Sequence, residues 1–79
     1  MKLGAIRNLL KVDIDVLRKA EEDLAEELPL EIEVEGDDEG EQLTHLFGAI
    51  WIKEQVESGE MDEKTALRAF TQKVRNSIN

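Results

Sequence analysis

Glu41 and His45 stand four residues apart in the stretch EQLTHLFGAIWIK, residues 41–53. On a helix that spacing puts both side chains on one side, where a carboxylate can orient an imidazole for proton transfer, as in a catalytic dyad. No nucleophile is identifiable beside the pair, so the chain reads as non-enzymatic, with no catalytic residue. Asp38 adds a third oxygen donor, yet one His with scattered carboxylates makes a poor transition-metal site. The acidic loop EGDDEGEQ invites a calcium reading. Placing Gly40 at the sixth position of an EF-hand loop puts Glu35, Asp37 and Glu39 at the first, third and fifth positions. Leu46 then falls where a bidentate Glu is required, and the match fails. The glycines form neither a phosphate loop nor a dinucleotide fingerprint. The expectation is a chain without cofactor or metal, in which His45 is structural.

The remaining chemistry is charge. The net charge is −9 over 79 residues, and it is unevenly spread. Residues 12–41 carry fourteen acids against Arg18 and Lys19, whereas residues 1–11 carry Lys2, Arg7 and Lys11 with no acid. Residues 64–79 carry Lys64, Arg68, Lys73 and Arg75, again with no acid. Basic ends therefore flank an acidic middle. The overall field repels phosphate, which argues against direct nucleic-acid binding. Within the acidic middle, Glu22, Asp23, Glu26 and Glu27 form a candidate patch. Such acids imitate a nucleic-acid backbone only if they are regularly spaced on one rigid face.

These residues must be positioned by helices. A hydrophobic fraction of 41% is ordinary for a folded domain, so the charge does not imply disorder. With no Cys, no disulfide staples the fold. The first residues are too short and too interrupted for a signal peptide, and no apolar run reaches membrane-spanning length. The protein reads as cytoplasmic, with no membrane contact. Apolar periodicity predicts helices at about 2–11, 14–28, 38–57 and 62–77, all in one domain spanning 1–79. Asp13 or Asp15 is expected to cap the second and Pro29 to stop it; Asp37 or Asp38 is expected to begin the third and Gly59 to end it, and Asp62 to cap the last. Ala66, Leu67, Phe70, Val74 and Ile78 give the last helix one buried stripe. Residues 29–36, PLEIEVEG, alternate apolar and acidic residues but have no partner strand in the chain; they read as an extended connector packing three apolar side chains on the helices or, in the alternative, as a strand that pairs with its copy in a second subunit.

The third helix is apolar on two sides. Leu43, Leu46, Phe47 and Ile50 make one stripe, with Trp51 on its border; Ala49, Ile52 and Val56 make the opposite one, with His45 beside them. The second stripe must meet either the first helix or a second copy of the protein, and in the latter case His45, Ala49, Ile52 and Val56 form a homodimer surface. Gly48 in the interior costs about 1 kcal/mol relative to Ala, which points to close approach of another helix.

The MKL start with Ile6, GEQL and GAI in the third helix, then SG, TALRAF, KV and NSI, together resemble a small family of unknown function. It comprises short, Cys-poor, acidic helical bacterial proteins, chiefly from the Bacteroidetes group. The resemblance is closest over residues 40–79. It implies a free-standing helical domain and no chemistry. The sequence therefore predicts an all-α bundle of three to four helices acting as a non-enzymatic interaction module for an unknown protein partner. The alternatives are an acidic inhibitor or nucleic-acid mimic acting on a basic protein, and, third, a weak divalent-metal-binding protein.

Overall fold

The computed structural model of the chain describes residues 2–78, with side chains as far as Asn76. Four helices follow in order: α1 (Leu3–Leu9), α2 (Ile14–Ala25), α3 (Glu39–Glu57) and α4 (Glu63–Ile78). The all-α expectation holds, with each boundary within three residues of its predicted place. Residue Ile78, the last member of the stripe expected on α4, has its side chain outside the described residues.

α3 is the centre of the bundle, and α1, α2 and α4 each pack on it. That arrangement explains its two apolar sides. Leu46 and Ile50 lie in the core on one side, and His45, Ala49 and Ile52 are fully buried on the other. α1 covers the second side: His45 is tied to Lys2 at one end of α1, and Lys53 Nζ donates to the Leu10 carbonyl at the other, 3.0 Å away. Four large aliphatic side chains among the described residues, Ile6, Leu17, Leu46 and Ile52, are completely inaccessible. Burial of each stabilises the fold by about 1.5–3 kcal/mol. Phe47 departs from the expected stripe. It is 51% exposed because none of the three surrounding helices covers that edge of α3.

The close approach expected at Gly48 comes from α4. A Cβ on Gly48 would lie 2.5 Å from Cε2 of Phe70. The Phe70 ring also packs at 6.3 Å from Trp51, whose other neighbour is Lys73 Nζ, 4.3 Å from the ring centroid. Gly48→Ala gains about 1 kcal/mol of helix propensity but forces an aromatic ring out of a packed position, at a cost of about 1–3 kcal/mol. The expected result is a net loss of stability in urea unfolding, with a change in Trp51 fluorescence.

The helix ends obey backbone hydrogen-bond accounting. α3 ends at Ser58 with Gly59 at φ 79°, and the N–H groups of Gly59 and Glu60 return to the carbonyls of Val56 and Gln55. This is a Schellman motif with Gly in the left-handed position. α2 ends with the same motif: Glu27 and Leu28 donate to Leu24 and Asp23. Here Glu27 occupies the left-handed position, at φ 60°. The helix therefore stops three residues before the predicted end, and the left-handed turn, not Pro29, terminates it. A side chain in that conformation costs about 1–2 kcal/mol, part of which Gly returns as chain entropy. Glu27→Gly is expected to raise stability by about 0.5–1 kcal/mol, read as a higher urea midpoint. An unchanged or lower midpoint would show that Glu27 makes a compensating contact.

The connector is extended, and no strand forms among the described residues. Val34 is buried, while Leu30 and Ile32 pack against the core. Its carbonyls are taken by side chains of α3: Gln42 Nε2 donates to Val34 at 2.9 Å, and His45 Nδ1 to Glu35 at 2.7 Å. Gly36, at φ 154°, lets the chain pass so close that a Cβ there would lie 2.8 Å from the Gln42 backbone nitrogen. Asp38 then caps α3 by accepting from the Glu41 N–H at 2.8 Å. Asp13 stands at the start of α2 without a capping bond from its side chain.

Candidate interaction groove

Glu41 and His45 are not hydrogen-bonded to each other as an acid–base dyad requires. His45 is completely buried, and both ring nitrogens are engaged by backbone groups. A carbonyl can only accept, so Nδ1 carries the proton and donates to Glu35; Nε2 is unprotonated and accepts from the Lys2 N–H at 3.0 Å. Glu41 Oε1 lies 4.0 Å from Nε2 and has no hydrogen-bond partner. A ring nitrogen without a proton has nothing to give it. The His45 side chain is thus a three-way clasp between α1, the connector and α3. No group of three His, Asp or Glu residues among those described could hold a metal ion. Two acids of the loop read for calcium have structural tasks: Glu35 accepts from Asn8 Nδ2, and Asp38 is the cap.

The predicted surfaces are also redistributed. Of the four residues placed on a homodimer face, His45, Ala49 and Ile52 are fully buried, and only Val56 is open, at 43% exposure. That face is used inside the chain, against α1. In the acidic patch, Asp23 is buried and pairs with Lys19 at 3.2 Å, holding the lysine ammonium above its ordinary range. Because α2 ends at Ala25, Glu26 and Glu27 leave the helix, and Glu22, Glu26 and Glu27 do not form an evenly spaced rigid row.

A different surface emerges where the two basic ends meet. α1 and α4 both lie on α3, and a groove runs along the seam between them. It consists of two adjoining hollows of about 440 and 460 Å³ that share Arg7, Lys64 and Leu67. Leu3, Arg7, Leu10 and Lys11 come from one face of α1 and the turn after it. Lys64, Leu67, Arg68, Thr71 and Arg75 come from one face of α4, spaced as successive helical turns require. Leu10 and Leu67 are half-buried, and Leu3 is 40% exposed, so the floor is apolar and open. Five cations line the groove, with Glu63 the acid among the lining residues.

Four of the five cations outside the groove are engaged within the chain, the exception being the exposed side chain of Lys2. Arg18 pairs with Glu54 at 3.2 Å, Lys19 with Asp23, Lys53 with the Leu10 carbonyl, and Lys73 with the Trp51 ring. Arg7, Lys11, Lys64 and Arg68 have no ion-pair partner among the described residues. Fourteen acids crowd residues 12–41, yet none of them lines these two hollows.

A family model of unknown function matches residues 1–79. The chain belongs to that family, DUF6952. The match covers the whole sequence, beyond the residues 40–79 that carry the closest resemblance. No curated protein and no solved structure matches this DUF6952 chain. No helix among the described residues is long and apolar enough to cross a membrane.

One signal for the groove was present in the DUF6952 sequence: both ends are basic and the last helix is basic on its exposed side. What the sequence lacked was the pairing, since nothing local says that α1 and α4 share one side of α3. The mouth of the groove begins at the cap of α4, where Asp62 accepts from the Thr65 N–H at 2.7 Å. That N–H holds the Asp62 carboxyl below its ordinary value, with Lys64 and Arg68 adding to the effect. A lowered folded-state value means the capping contribution is complete at neutral pH. It is lost as pH falls below about 3.9 and through the lowered value. Asp62→Asn keeps the acceptor without the titration, so its acid unfolding should lack that part of the pH dependence.

Proposed function

We propose that this chain is a non-enzymatic interaction module of the cytoplasm whose binding face is the α1–α4 groove and whose partner is an acidic segment of another protein. The observation that carries the reading is the distribution of cations. In a chain of net charge −9, four groove cations have no ion-pair partner, although acids are abundant elsewhere. A strip of unpaired positive charge above an apolar floor favours a negatively charged, partly apolar ligand. The one His belongs to the packing, which supports a binding role over an enzymatic one.

The acidic-mimic reading rests on α2 and the connector, and it lacks the evenly spaced rigid row that such a role requires. The two readings separate in a peptide-display selection on the wild-type chain and on Arg7→Glu/Arg68→Glu. Enrichment of acidic sequences by the wild type and their loss with the double variant is the expected result. Enrichment of basic sequences that survives the double change would transfer the function to the acidic face.

A further inference from the structure

We infer that the ligand of the α1–α4 groove is an amphipathic acidic helix, which docks as a fifth helix with its apolar row between Leu3, Leu10 and Leu67. This rests on the interaction reading above and specifies its partner. The groove has the form that helix packing leaves behind. Its two walls are single stripes of two neighbouring helices, and the seam between such stripes accepts the ridge of a third. α4 has 16 residues and is about 24 Å long, whereas α1 has seven and covers less than half that length. An apolar row at three- and four-residue spacing matches the leucine floor, and acids flanking it would meet Arg7 and Lys11 on one wall and Lys64 and Arg68 on the other.

A bare polyanion fits less well. The floor is aliphatic, no aromatic side chain lines the groove for bases to stack on, and Glu63 sits at one end. The groove is also polar along its axis. Beyond Glu63 it opens into a third hollow lined by Asp13, Glu57 and Lys53, while its far end is Arg68 and Arg75. A docked helix therefore places its positive N-terminal end near Glu63 and its acids toward Arg68.

The test is fluorescence anisotropy with two labelled peptides of about 15 residues, long enough to span α4. One carries Leu at helical spacing with Glu on both flanks, and the other has the same composition in scrambled order. The full-length chain should bind the first at least tenfold more tightly. Arg68→Glu and Leu3→Gln, both at exposed positions, should each weaken it tenfold or more while leaving the circular dichroism unchanged. Equal binding of both peptides would overturn the helical ligand and leave acidic docking standing. Binding of neither would overturn both. Tighter binding of a single-stranded oligonucleotide or of anionic lipid vesicles, lost with the same variants, would replace the helix by a polyanion.

Discussion

Ile52→Glu is expected to abolish the fold. Ile52 is completely buried where α3 meets α1, and the cation of the adjoining hollow, Lys53, already donates to the Leu10 carbonyl and shares that hollow with Asp13, Glu57 and Glu63. The change removes about 1.5–3 kcal/mol of apolar burial and adds several kcal/mol for desolvating an unpaired charge. A chain of this size is stable by only about 4–12 kcal/mol. Helical circular dichroism and the cooperative melt should therefore disappear together. Ile52→Ala, which leaves a cavity without a charge, should cost about 2–5 kcal/mol and still fold. A folded Ile52→Glu chain of reduced mass, arising from a dimeric wild type, would instead place Ile52 at a subunit interface.

His45→Leu has the second-largest expected effect. It keeps the apolar volume but strands two backbone groups, the Lys2 N–H and the Glu35 carbonyl. Each buried polar group left unpaired costs about 1–3 kcal/mol. The expected loss is about 2–4 kcal/mol, concentrated at the start of α1 and in the connector, where amide hydrogen exchange should accelerate. His45→Gln retains a donor and an acceptor and should be milder. It is expected to keep the helical spectrum, in line with a structural His45. Equal exchange rates at α1 in the wild type and His45→Leu would show that the clasp does not hold that helix.

The helices were legible because their signals are local. Asp38, Asp62 and Gly59 stand where caps and a terminator are expected, and apolar spacing marks the buried face of α2 and α3. The end of α2 was misread because Pro29 is a strong breaker, whereas a Glu in the left-handed position carries no sequence mark. Gly48 announced a close approach but not that Phe70 would make it. The two sides of α3 could be read from periodicity, yet whether α1 or a second copy covered His45, Ala49 and Ile52 is a matter of tertiary contact. The groove was hidden for the same reason. Arg7 and Arg68 are 61 residues apart, and only the packing of α1 and α4 on one side of α3 brings them to one surface.

Convergence of the two basic ends into one binding face is tested most directly by a two-dimensional amide NMR titration of the labelled full-length chain with an acidic peptide. Shift changes confined to α1 and α4, centred on residues 3–11 and 64–75 and reversed by added salt, are the predicted result. Changes centred on α2 and the connector, or no changes at low salt, would contradict it.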